Sequence, residues 1–148
     1  VKDPVIAHRI LDLIRTHLAQ MRAQSPPESG HAMGPEALQA DHITVFTGWL
    51  DGEVLAVGAL ADLGHRLGEL KSMHVRAPAR GTGLGRALFA HIEAQARARG
   101  FTRLALETGS YDSFAATRAF YAAQGYATVP PFGSYEADPN STFLAKTL

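Results

Sequence analysis

The sequence predicts an α+β fold, a mixed and mostly antiparallel sheet with one βαβ crossover at its centre. Three observations carry this expectation: apolar residues at helical spacing open the chain, two β-rich runs flank a tight-turn dipeptide, and a strand, a glycine cluster, an amphipathic helix and a second strand then follow in order. The 148 residues are expected to form one domain over residues 1–148, because a chain of this size buries roughly two-thirds of its unfolded surface.

From Pro4 to about Gln24, Ile6, Ile10, Leu13, Ile14, Leu18 and Met21 recur at helical spacing, with Asp3-Pro4 as a start signal and Ser25-Pro26-Pro27 as a stop. A polar loop, SPPESGHAMG, follows, and Pro35 to Ala40 can form a short second helix. ITVFTGWL and EVLAVGALA flank Asp51-Gly52, residues that tolerate the positive φ of a hairpin turn. GELKSMHV reads as a third strand, stopped by Pro78. Leu84 to Arg99 forms a helix closed by Gly100, FTRLALET is a strand parallel to GELKSMHV, and Ser113 to Gln124 is a helix ended by Gly125. YATVP and STFLAKTL supply the last strands.

Lysine plus arginine and aspartate plus glutamate number 14 each, so no long-range field favours nucleic acid or an anionic membrane as a partner. There is no cysteine, which removes disulfides, thiolate metal sites and a cysteine acyl intermediate. The histidines form no His-x-x-x-His pair, and no metal is expected. No apolar run reaches the length of a membrane span and no basic-then-apolar leader opens the sequence, so the expected compartment is the cytoplasm.

Arg80-Gly81-Thr82-Gly83-Leu84-Gly85 places three glycines in five residues before a helix. A dinucleotide fingerprint fails at its third glycine, where Arg86 stands, and a Walker loop fails because Gly85 is followed by Arg86-Ala87. Two readings remain open from the residues alone: a tight turn with incidental glycines, or a cradle of backbone N–H groups that lets an anion approach closely.

That segment is similar to the Arg/Gln-x-x-Gly-x-Gly/Ala motif of the GNAT superfamily of N-acetyltransferases, with Arg80, Gly83 and Gly85 at the motif positions. RAFYAAQGY resembles a second motif of the same superfamily, and LETGSYDSF and FGSYEADPNS resemble an uncharacterised bacterial branch of it. The resemblance implies a pair of parallel strands that splay apart to admit the pantetheine arm of acetyl-CoA. It implies cofactor contacts from Arg80, Gly81, Thr82, Gly83, Leu84, Gly85 and Arg86, and from the backbone around Met73, His74 and Val75. The superfamily's usual strand before the first helix has no counterpart in the sequence, which points to residues missing upstream of Val1.

The implied reaction is direct attack of an amine on the acetyl thioester. An alkyl ammonium has a pKa near 10.4, so on the order of one molecule in a thousand is nucleophilic at neutral pH, and a base is needed. Glu69, which opens the strand leading to the glycine turn, is the candidate, because the resemblance implies a glutamate at this spacing from Arg80 in one branch of the superfamily; the alternative is a strand carboxylate paired with Lys71 or Arg103. Glu107 and His74 are rivals for the same role. Tyr121 matches the tyrosine that faces the departing sulfur, against the alternative of a core tyrosine beside Phe120 and Phe114. The sequence departs from the pattern seven residues earlier, where Phe114 replaces an asparagine that contacts CoA. The expected acceptor is a small-molecule amine; a protein amine, or a non-catalytic CoA-binding sensor, is the alternative. A homodimer is compatible with the sequence.

Overall fold

The computed structural model describes residues 12–16, 19 and 40–148. Residues 12–16 and 19 are helical, in agreement with the first predicted helix; the rest of that helix and the short helix expected at Pro35 to Ala40 lie outside the described residues, apart from Ala40. The elements that follow are β1 (Ile43–Leu50), β2 (Glu53–Asp62), β3 (Leu67–Val75), α1 (Leu84–Ala98), β4 (Arg103–Gly109), α2 (Ala115–Ala123), β5 (Ala127–Thr128) and β6 (Ser141–Thr147). They form a six-stranded sheet in the order β1-β2-β3-β4-β6-β5. Every neighbouring pair is antiparallel except β3 and β4, the parallel pair joined through α1.

Asp51 and Gly52 both adopt positive φ, at 52° and 79°, and turn the β1–β2 hairpin as expected. On one sheet face, Leu88, Phe89, Ile92 and Ala96 of α1 bury against Ala56, Leu60, Leu70, Leu104 and Leu106, and Tyr121 of α2 and Tyr126 join this core. On the other face, Leu13 and Ile14 cover β1 and β2, packing with Ile43, Val54 and Val57. Beyond them Phe132, Phe143, Ala105 and Ala145 form a smaller cluster edged by Tyr135. This second face is therefore covered in part by the chain between β5 and β6.

Glu93 is buried in α1 yet well partnered. Tyr126 Oη donates to its Oε2 at 2.8 Å, Lys146 Nζ to its Oε1 at 3.1 Å, and Arg97 pairs with it at 3.1 Å. Burial alone would raise its pKa, but these bonds and charges outweigh it and the net shift is downward. The network ties α1 to β6 and to Tyr126.

Two elements are shorter than the sequence predicts. The helix expected from Ser113 starts as a 3₁₀ turn over Asp112–Phe114 and becomes α-helical at Ala115, because the Phe114 ring is anchored against Gly109, where an added Cβ would lie 2.3 Å from it. YATVP yields only Ala127–Thr128 as strand: Val129 N–H still reaches Phe143 O at 2.9 Å, and Pro130-Pro131 can continue no ladder.

Candidate active site

The parallel ladder between β3 and β4 is short. It pairs Leu67 with Arg103, Gly68 with Leu104 and Glu69 with Ala105, then stops, although β3 continues to Val75 and β4 to Gly109. Beyond Glu69 the two strands part, each held on its outer side: β3 by β2, and β4 by β6. The result is a slot walled by backbone edges that no strand fills.

A bulge shapes the β3 wall. The β2–β3 register shifts between Val57 and Ala59, and Ser72 sits at φ 56°, a left-handed conformation that costs a non-glycine residue on the order of 1 kcal/mol or more. Gly58 lies opposite because a Cβ there would come within 2.4 Å of Met73 Sδ and 2.8 Å of Ile92. Past the bulge, Arg76 N–H donates to Leu55 O at 2.8 Å. Strand alternation then turns the backbone of His74 toward β2 and that of Met73 and Val75 toward the slot. Of the three expected backbone contacts, two thus face the slot and His74 belongs to the ladder.

An arginine closes each wall at the mouth. Arg80 Nε donates to Val75 O at 3.1 Å, and Arg118 Nη1 to Gly109 O at 2.7 Å and Tyr111 O at 2.9 Å. Arg80 leads into the glycine turn, where Gly81 and Gly83 adopt φ 80° and 89° and a Cβ on either would meet nothing within 4 Å. Gly83 is the N-cap of α1, with no side-chain cap hydrogen bond. Thr82 Oγ1 donates to Ala79 O, and only a long 3.4 Å contact links it to Leu84 N–H. The first N–H groups of α1 therefore open outward, the arrangement that suits a phosphate. Gly85 also serves packing, since its Cβ would sit 2.8 Å from Val75 Cγ2 and its absence lets α1 lie close on β3.

Glu69 stands at the apex where the strands part, buried at 4% exposure. Its Oε2 accepts from Lys71 Nζ at 3.0 Å and from Tyr135 Oη at 2.7 Å, while Lys71 also donates to Tyr135 Oη at 3.0 Å. The pairing with Lys71 foreseen as an alternative is thus present. Glu107 lies on the β4 wall and accepts from Ser141 Oγ at 2.6 Å. Burial, the Glu69 charge and hydrogen bond, and the Glu107 charge raise the Tyr135 pKa, so its hydroxyl stays protonated and donates. Tyr135 is the residue that sequence reasoning missed; its only signal was the FGSYEADPNS segment, whose contact with β3 is long-range.

Tyr121 lies on the opposite sheet face. Its ring packs against Phe89, Phe120 and Tyr126 at centroid distances of 5.6, 5.3 and 5.9 Å, in the cluster that holds Leu70 and Leu106, the first residues past the ladder. Burial raises its pKa. His74 is 7% exposed, and burial together with the nearby Arg80 and Arg76 charges lowers its pKa to about 4, so it is neutral at pH 7. Phe114 fills the space against Gly109 and is buried, which removes it as a polar contact. Among the described residues no cluster of three metal-ligating side chains occurs.

A splayed parallel pair beside an uncapped, glycine-led helix is what the sequence resemblance implied, and the family model of the GNAT acetyltransferases matches residues 10–126. The chain belongs to the GNAT family. As a GNAT protein it is an acetyl-CoA-dependent N-acetyltransferase. It is 40% identical over 146 residues to the uncharacterized N-acetyltransferase YsnE of Bacillus subtilis (strain 168), covering 99% of this chain and 97% of that one. It is 42% identical over 125 residues to an IAA acetyltransferase of Azospirillum brasilense, covering 83% and 80%. A solved structure from Klebsiella pneumoniae, assigned as an acyl-CoA N-acyltransferase, superposes with a TM-score of 0.75 at 30% identity, over 95% of this chain and 90% of that one.

Proposed function

We propose that this GNAT enzyme transfers the acetyl group of acetyl-CoA to the amine of a small molecule by direct attack, with Glu69 as base and Tyr121 beside the leaving sulfur. The observation that carries this reading is the slot that opens past Glu69 and Ala105, with Glu69 at its apex and the outward N–H groups of α1 near its mouth. The residues present fit acetyl-CoA. Gly81 and Gly83 leave open space at the helix start for a diphosphate, and the backbone edges of Met73 and Val75 suit an extended arm bearing amides. Arg80 and Arg86 supply positive charge at the same turn.

Bound acetyl-CoA supplies an activated thioester. The protein's part is to deprotonate and desolvate the acceptor on the Glu69 face and to offer a hydrogen bond from Tyr121 on the other. Glu69 has one oxygen, Oε1, with no partner among the described residues, and this is the atom proposed to take the ammonium proton, directly or through a water. The Tyr121 hydroxyl is a donor to developing charge rather than an obligatory acid, since burial strengthens its hold on its proton. The chain contains no cysteine, which excludes a cysteine-linked acyl-enzyme and favours transfer within a ternary complex. The name of the Azospirillum relative supports a small-molecule acceptor, and the slot is buried at its apex, where Glu69 is 4% exposed. Among the described residues no helix is long and apolar enough to cross a membrane, and we place the enzyme in the cytoplasm.

Two measurements test the reading: calorimetric titration with CoA, and thiol release from acetyl-CoA against pooled primary amines. Saturable CoA binding with amine-dependent thiol release is expected. Binding without release for any amine would leave a CoA-responsive module in place of an enzyme, and no binding would remove the site.

A further inference from the structure

We propose that Tyr135 is a positioning residue for the transfer reaction, locking one oxygen of Glu69 so that the other faces the acceptor. The inference rests on the reading of Glu69 as the base. Its ground is geometric: the Tyr135 hydroxyl donates to Glu69 Oε2 at 2.7 Å and accepts from Lys71 Nζ at 3.0 Å, and Lys71 itself donates to the same Oε2 at 3.0 Å. Three side chains thus close a ring on a single carboxylate oxygen. A carboxylate held by one donor can rotate about its last torsion and exchange its two oxygens; two converging donors, themselves bonded to each other, leave one orientation.

The device spans the fold. Glu69 and Lys71 belong to β3, whereas Tyr135 arrives from the chain between β5 and β6, where its ring is packed against Phe132 and Phe143 at centroid distances of 5.3 and 5.4 Å. Lys71 Nζ also lies 5.4 Å from the Tyr135 ring centroid. From β4, Glu107 adds a second negative charge near the hydroxyl, and its own carboxylate is engaged by Ser141 of β6. The carboxylate of Asp138, in the same loop as Tyr135, accepts from Asn140 N–H at 2.8 Å. Lys71 offsets the Glu69 charge, so the ring brings a protein cation to the base before any substrate ammonium arrives. An acceptor ammonium at Oε1 then shares the carboxylate with Lys71 and does not replace it.

The test is a double-mutant cycle on the full chain, with the best amine from the pooled screen. Tyr135→Phe keeps the ring and its packing and removes only the hydroxyl. It is expected to lower kcat roughly 5- to 50-fold, below the range of acid–base groups themselves, while CoA affinity by calorimetry changes less than about twofold. In a Glu69→Gln background the same Tyr135→Phe change is expected to cost less than about twofold, because the group it positions is gone. An equal kcat loss in both backgrounds overturns the assignment, as does a Tyr135→Phe effect confined to CoA affinity or to the acceptor KM. Wild-type enzyme is measured in the same series. Absent wild-type turnover would overturn the transfer reading together with this one, whereas turnover with additive variants overturns only the role of Tyr135.

Discussion

Replacing Glu69 by glutamine separates a base from a carboxylate that only braces β3. The amide is isosteric, and its carbonyl can still accept from Lys71 or Tyr135, but Lys71, whose side chain is 13% exposed, loses the charge partner that stood 3.0 Å away. Removing one half of a fully buried pair costs about 3 to 5 kcal/mol; with one hydrogen bond retained the expected cost is about 1 to 3 kcal/mol, or roughly 3 to 10 °C in Tm for a chain of this length. The kinetic cost has a different origin. At neutral pH on the order of one amine in a thousand is unprotonated, so an enzyme that must wait for the free amine loses up to about 10³-fold, about 4 kcal/mol. That ceiling falls as much as tenfold for each unit of pH, because the free amine fraction rises by that factor until about pH 10. The assay is kcat/KM for the acceptor from pH 6 to 10 on wild type and Glu69→Gln, at temperatures below both unfolding transitions. A rate ratio that stays constant across this range refutes proton acceptance by Glu69 and leaves bracing as its role; the search then moves to Glu107.

The glycine turn yields a contrast within three residues. Gly85→Ala drives a Cβ into Val75 Cγ2, on a β-branched side chain that cannot swing aside, and is expected to cost about 1 to 3 kcal/mol of stability, read as Tm. Gly83→Val projects into open space at φ 89°, so calorimetry is expected to show a loss of more than about tenfold in CoA affinity, with a backbone cost of about 1 to 2 kcal/mol that leaves the protein folded at 25 °C. Tyr121→Phe removes a hydroxyl whose ring is held by three aromatic neighbours, and should lower kcat about 10- to 100-fold with CoA affinity unchanged; full activity would assign Tyr121 to the core. His74 has a folded pKa near 4 against 6.5 unfolded, so the unfolded chain binds the extra proton between these values, and the stability it contributes is complete above pH 6.5 and lost as pH falls toward 4. The span corresponds to about 3 kcal/mol, and His74→Gln should flatten Tm against pH in that window; an unchanged slope would refute the burial argument.

Much of this arrangement is legible in the chain because local rules agree with the fold. Asp51-Gly52 demanded a hairpin and made one, and Gly100 ended α1 at the residue where periodicity lapsed. The cradle glycines were legible as a group but not as individuals: nothing in Gly81, Gly83 and Gly85 as letters says that two face open space and the third exists for Val75. The bulge at Ser72 left one sign, a glycine inside the apolar run EVLAVGALA, whose meaning depends on Met73 lying across from it. Tyr135 left almost none. Its contact with Glu69 crosses 66 residues, and no periodicity or spacing rule reaches that far; only the closing of β6 beside β4 brings the two together.

The placement of Glu69 and Tyr121 on opposite faces follows from the same short ladder. Side chains alternate along β3, so Glu69 faces the Tyr135 side while Leu70 faces the aromatic cluster of Tyr121. A continuous β3–β4 ladder would wall these two groups off from each other. Ending it at Glu69 opens the sheet between them, which is the access that the proposed roles of Glu69 as base and Tyr121 as hydrogen-bond donor require. The opening has a cost, since backbone groups along Met73 and Val75 forgo strand partners, each worth about 0.5 to 1.5 kcal/mol. Arg80 and Arg118 offset part of it by taking the carbonyls of Val75 and Gly109. What they leave is the amide edge between, where the proposed extended arm of acetyl-CoA, carrying its own amides, would complete the ladder that the protein leaves open.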